Sequence, residues 1–136
     1  MNHYNPEVIK TEVFARVPDK YRQKGSHPGK RSTHYVRQSE GIDCYIEGPS
    51  FDRDGNLYFT DIPHGRIFCM APDGTIELAT EYDGEPNGLK IHKDGRIFIA
   101  DFKHGIMVMD PKSGTVEPYL DMRQAENFKG VNDLVF

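Results

Sequence analysis

Cysteine is scarce in this chain: only Cys44 and Cys69 occur, and neither belongs to a CxxC pair. That scarcity argues against a zinc ribbon and a disulfide framework, and predicts free, mostly buried thiols. Long hydrophobic runs are also missing. No stretch reaches the roughly 18 apolar residues of a membrane helix, and Met1 to Val17 lacks the apolar core of a secretory signal. No membrane partner is expected, and a cytoplasmic location is the default. Neither sign of charge dominates, with 17 Lys and Arg against 21 Asp and Glu for a net charge of -4. The bases are unevenly placed, however. Between Arg16 and Arg37 seven Lys or Arg stand against one Asp, so this arm carries +6 and the remainder -10. The arm contains Gly25, Pro28, Gly29 and Ser32 but no aromatic interleaving, which predicts a solvated surface arm and no nucleic-acid partner.

What the chain does have is an internal repeat. Phe51-Asp52-Arg53-Asp54-Gly55-Asn56-Leu57-Tyr58-Phe59-Thr60-Asp61 aligns with Ile91-His92-Lys93-Asp94-Gly95-Arg96-Ile97-Phe98-Ile99-Ala100-Asp101 at a period of 40 residues. The same offset carries His64-Gly65 onto His104-Gly105, Asp73-Gly74 onto Ser113-Gly114, and Glu47 onto Asn87. A third copy opens at Asn132-Asp133-Leu134, displaced by five further residues. That displacement predicts a loop insertion around Met122 to Lys129. A unit of this length made of short strands is a propeller blade.

Each unit predicts four antiparallel strands. In the first, strand A is Gly48 to Asp52, the Asp54-Gly55 hairpin leads to strand B at Asn56 to Thr60, and strand C runs from Arg66 to Met70. Pro72-Asp73-Gly74 turns the chain into strand D, Thr75 to Thr80. The second unit repeats this at Leu89 to His92, Arg96 to Ala100, Ile106 to Met109 and Thr115 to Leu120. β-branched and aromatic residues on both faces of strands B and C suit sheets stacked between neighbours. The fold class is therefore all-β, a partial propeller of two blades plus the first strand of a third. Residues 1–44 read as an N-terminal strand and basic arm, with Glu12 to Val17 an extra outer strand. Residues 45–136 read as blades one and two and the start of blade three.

Two blades cannot close a ring, and a lone meander needs neighbours for its apolar faces. The remaining blades are expected either in cis, in a chain of roughly 300 residues, or through oligomerisation of short chains.

In such a meander the D-to-A and B-to-C connections share one face. Glu47, Asn87 and Asn132 all open strand A, one per repeat, and so converge on the channel mouth with hard oxygen donors. Carboxylate and carboxamide oxygens suit a divalent cation of the Ca²⁺ or Mg²⁺ type. His64 and His104 share an Asp-x-x-His-Gly frame on the same face. As functional groups they would orient substrate or exchange protons near neutral pH. As structural groups they would shape their loops, the simpler account of a side chain found in both repeats. Asp61 and Asp101 read as loop-capping groups.

Glu47-Gly48-Pro49, the Phe51 to Tyr58 segment, Pro86-Asn87-Gly88-Leu89 and Asn132-Asp133-Leu134-Val135-Phe136 together resemble the regucalcin (senescence marker protein)/gluconolactonase family, from Tyr45 to Phe136. The resemblance implies a six-bladed propeller with a divalent cation, commonly Ca²⁺, in its central channel, and hydrolysis of lactones or, in relatives, organophosphate esters. It implies that Glu47 is the first-blade metal ligand and that Asn132 faces metal or substrate. Asn87 then lines the substrate pocket, with His64 and His104 as further substrate-binding candidates. The family's fourth-blade Asn and fifth-blade Asp have no counterpart here, so the candidate base lies beyond Phe136. The expectation is a metal-dependent hydrolase of a sugar-acid lactone or similar small ester, of which this chain alone is inactive. Ca²⁺ is the first choice of cation, with Mg²⁺, Mn²⁺ and Zn²⁺ open. The competing expectation is a non-catalytic propeller that binds a ligand or protein through the same face. An Asp opening strand A of a later repeat would distinguish the two.

Overall fold

The computed structural model describes residues 7–22, 43–123, 126–128 and 130–136. Residues 23–42, most of the basic arm, lie outside that range.

The chain forms two four-stranded antiparallel meanders. The first is β1 (Ile46–Phe51), β2 (Leu57–Asp61), β3 (Arg66–Met70) and β4 (Ile76–Glu81); the second is β5 (Pro86–Ile91), β6 (Ile97–Asp101), β7 (Gly105–Met109) and β8 (Val116–Leu120). Both are ordered as in sequence, as hairpin-linked blades require. The first hairpin is fixed locally: Asp52 Oδ1 accepts the Asp54 and Asn56 N–H groups at 2.9 and 2.8 Å. In the second, Asp94 Oδ1 accepts the Arg96 N–H at 3.1 Å.

Alternation along the strands sends side chains to opposite faces. Ile67 points between the blades, where it joins Leu89, Ile97, Ile99, Met107 and Met109 in the main core. Phe68, its neighbour in β3, points to the other side and packs with Phe59 and Ile76. Every residue of β6 is buried, because β6 is central in its sheet and covered on both faces.

The structure corrects several sequence expectations. Glu12 to Val17 joins neither sheet. Ala15, Val17 and Tyr21 instead lie against the outward face of the first blade, with Tyr21 edge-on to Phe68 at 5.1 Å. Burying those apolar side chains on Phe59, Phe68 and Ile76 needs no ladder. Residues 130–136, expected as the opening strand of the third blade, form none; they run beside β5 through the Gly88 N–H to Asn132 carbonyl bond of 2.8 Å. The expected insertion is a small hairpin, β9 (Met122–Arg123) paired with β10 (Glu126–Asn127). No helix among the described residues is long and apolar enough to cross a membrane. Cys44 and Cys69 are free but only half-buried, less than expected.

Candidate functional site

The site is built on the inner strands β1 and β5, and the structure lengthens both at their N-terminal ends. Glu47 and Asn87 were expected just ahead of their strands but lie inside them, because Ile46 pairs with Asp61 and Pro86 with Asp101. The same pair of hydrogen bonds accompanies the extension in both blades. Asp61 Oδ1 accepts the Tyr45 N–H at 2.8 Å, and the Ile62 N–H returns to the Tyr45 carbonyl at 3.1 Å. At the same offset, Asp101 Oδ2 accepts the Glu85 N–H at 2.9 Å and the Phe102 N–H returns to the Glu85 carbonyl at 2.9 Å.

Glycine sets how closely the inner strands approach. A Cβ on Gly48, whose φ is +55°, would lie 2.6 Å from the Asn87 carbonyl oxygen and 2.8 Å from the Leu89 nitrogen. One repeat later, a Cβ on Gly88 would lie 2.8 Å from the Asn132 carbonyl oxygen and collide with Asp133 Oδ1. Only backbone fits between successive inner strands, so Glu47, Asn87 and Asn132 follow one another on adjoining main chains. Thr60 adds a tie across the blades, its hydroxyl donating to the Asn87 carbonyl at 2.7 Å.

The three oxygen-bearing side chains differ in exposure. Glu47 and Asn132 face solvent, whereas Asn87 is only 4 % exposed. Among the described residues Glu47 has no ion-pair partner in reach, while neighbouring Asp133 meets Lys90 at 3.3 Å. No group of three or more His, Cys, Asp and Glu side chains among the described residues could hold a metal. Were Glu47, Asn87 and Asn132 to act together, they would offer one carboxylate and two carboxamides, a chemistry that fits a hard divalent cation better than a thiolate- or imidazole-seeking one.

The two histidines part company despite their common frame. His64 is buried at the end of a short 3-10 turn, Ile62–His64, at 1 % exposure. His104 is more open; its Nε2 lies 2.6 Å from the Asp83 carbonyl and its N–H donates to Asp101 Oδ1 at 2.8 Å. The contacts of His104 thus tie the β6–β7 loop to the β4–β5 loop.

Several residues that organise the site were not singled out from sequence. Arg66, 3 % exposed in its side chain, donates Nε to Asp61 Oδ2 at 3.0 Å and forms a buried ion pair with it. Tyr82 donates its hydroxyl to Asp101 Oδ2 at 2.7 Å, and burial first, then that carboxylate, push the phenol well above its ordinary value. Thr60 escaped notice because its repeat partner is Ala100, which has no hydroxyl. Gly48 and Gly88, by contrast, did carry a signal, since they coincide at the 40-residue offset.

Residues 46–136 match the family model described as the SMP-30/Gluconolactonase/LRE-like region. Among solved structures, a gluconolactonase of Xanthomonas campestris is similar in fold, with a TM-score of 0.61 at 18 % identity over 66 % of this chain. The match spans 31 % of that gluconolactonase, so the chain corresponds to about a third of its length. A comparison with curated proteins found no match.

Proposed function

The chain belongs to the SMP-30/gluconolactonase/LRE-like family, and from that premise we propose that the whole protein is a metal-dependent hydrolase of a sugar-acid lactone or a similar small ester. The observation that carries the reading is the succession of Glu47 and Asn87 on inner strands β1 and β5 and Asn132 on the main chain beside β5, held close by Gly48 and Gly88. Glu47 would anchor a divalent cation, Ca²⁺ by preference. Asn132 would bind the cation or a substrate oxygen, and Asn87 would border the pocket. A cation so held supplies Lewis-acid polarisation of the ester carbonyl and charge stabilisation as the oxyanion develops.

The chain's own residues divide the remaining tasks. Asn carboxamides both accept and donate hydrogen bonds, so Asn87 and Asn132 can orient the hydroxyl-rich substrate without changing charge. Asp61 and Asp101 do not act as general base, because Arg66, Tyr82 and backbone N–H groups already occupy their oxygens. Two blades offer too few donors for the six to eight oxygens that calcium typically takes. The full ring is therefore the functional unit.

The test is hydrolysis of gluconolactone by the full-length protein, followed by acid release at constant pH with and without a chelator. Chelation abolishes turnover and added Ca²⁺ restores it, while Glu47→Gln remains inactive in either condition. Unchanged turnover in Glu47→Gln removes that residue from the mechanism. A ring that binds sugar-acid lactones without hydrolysing them would instead favour a binding propeller.

A further inference from the structure

We propose that Asp61 and Asp101 are positioning residues, one per blade, which set the openings of the inner strands and so direct Glu47 and Asn87 at the site; this rests on the reading of that site given above. Both carboxylates are fully buried, at the ends of β2 and β6. Their surroundings differ. Asp61 is neutralised by Arg66, whereas Asp101 is satisfied by the Tyr82 hydroxyl at 2.7 Å and by the Lys103 and His104 N–H groups, both at 2.8 Å.

One contact is common to both. Each aspartate accepts the backbone N–H of the residue two places before the inner-strand donor, Tyr45 before Glu47 and Glu85 before Asn87. Partners that merely satisfy a buried carboxylate have changed between the blades, while the bond to the inner strand recurs at the 40-residue offset. In each blade the return bond, from the residue after the aspartate to the carbonyl of that same inner-strand residue, closes a two-bond clamp. The clamp adds the pairs Ile46 to Asp61 and Pro86 to Asp101 to the ladders. In β1 Glu47 is itself paired with Thr60, so fixing Ile46 against Asp61 also decides which way Glu47 points. In β5 the register shifts between Pro86 and Gly88, and Asn87 lies at that bulge, placed by where Pro86 is pinned.

A carboxylate is required because both of its oxygens accept. Asparagine of the same shape keeps one accepting oxygen, which the charged Arg66 guanidinium claims as the stronger donor, so the NH₂ group is turned toward the Tyr45 N–H. Asp61→Asn therefore releases the clamp with almost no change in volume.

The experiment compares full-length wild type, Asp61→Asn and the core variant Ile97→Val, measuring Ca²⁺ binding by calorimetry with the metal alone and amide hydrogen exchange residue by residue. Asp61→Asn is expected to weaken Ca²⁺ affinity about tenfold, the low end of what loss of a direct outer partner costs a metal site, because Asp61 acts on Glu47 only through the Tyr45 main chain. Exchange across Ile46–Gly48 should quicken by about tenfold while β6 and β7 keep their protection. Ile97→Val, which loosens the core between the blades, should leave the affinity as in wild type. Wild-type affinity in Asp61→Asn, or exchange that rises evenly over the whole molecule, overturns the proposal. If wild type binds no Ca²⁺, the metal reading of the site fails, and the local exchange pattern alone decides for or against the clamp. Should Asp61→Asn fail to fold because Arg66 is left buried, Asp101→Asn strands no cation and carries the exchange arm of the test: faster exchange confined to Glu85–Gly88 supports the clamp, and unchanged or evenly raised exchange overturns it.

Discussion

Gly48 and Asn87 touch backbone to backbone: the space for a Gly48 side chain is taken by the Asn87 carbonyl oxygen, which a Cβ would meet at 2.6 Å. Gly48 also has φ of +55°, so two separate physical requirements fall on one residue that directly follows Glu47. The join between the first two blades and the aim of the candidate ligand depend on the same few atoms.

Gly48→Ala is therefore expected to cost about 3 kcal/mol, adding left-handed backbone strain to an overpacked contact. Gly95→Ala separates the two effects. Gly95 has φ of +93° but nothing within 4 Å of its missing Cβ, so only the strain remains, about 1 kcal/mol. Urea unfolding of the full-length protein measures both losses. Equal losses would show that close approach contributes nothing at Gly48.

The Asp61–Arg66 pair is buried on both sides, with side-chain exposures of 0 % and 3 %. Arg66→Met should destabilise the protein by about 3 kcal/mol at neutral pH, because it leaves a buried carboxylate without its cation. Arg96→Met provides the contrast. Arg96 also meets an aspartate, Asp94 at 2.7 Å, but both side chains are over 40 % exposed, and solvent leaves such a pair worth little. Melting curves that drop alike for the two variants would contradict this reading of burial.

Thr60→Val keeps the shape of the side chain and removes the hydroxyl that reaches the Asn87 carbonyl at 2.7 Å. A buried acceptor is left unmet, at a cost of about 1 to 3 kcal/mol. Thr60→Ser should recover most of that loss. A Thr60→Val protein as stable as wild type would mean that water replaces the hydroxyl.

The Cys44 thiol is pushed up from 9.0 to about 12, by burial first and then by the nearby Asp61 carboxylate. A folded value above the unfolded one means that the native state holds its proton more tightly. Stability from this group is thus complete below pH 9 and is lost as pH rises toward 12. Tyr58 and Tyr82 are shifted in the same direction and add to the alkaline loss. Cys44→Ala should flatten part of the decline in denaturation profiles between pH 9 and pH 12. At pH 8 Cys44 should react with a disulfide reagent more slowly than an ordinary thiol, since so little thiolate is present. Reaction at the rate of a free cysteine would contradict that environment.

The outline of a single blade was legible in the sequence alone, though not the lengthening of β1 and β5 or the buried Asp61–Arg66 pair. The 40-residue offset, the hairpin turns at Asp54-Gly55 and Asp94-Gly95, and the runs that became β2, β3, β6 and β7 were legible because a strand, its turn and its partner lie close together in the chain. The candidate residues Glu47, Asn87 and Asn132 were legible for the same reason, as positions that coincide when the repeats are superposed. Tertiary structure decided what happens between blades. That Gly48 abuts Asn87 and Gly88 abuts Asn132, and that Thr60 reaches the Asn87 carbonyl, follows from how one twisted sheet stacks on the next, which no local pattern encodes. It also decided that Glu12 to Val17 lies across the first blade without joining a sheet. The run has strand-like residues but no repeat partner to set a register, and burial of Ala15 and Val17 against Phe59, Phe68 and Ile76 settled its place instead.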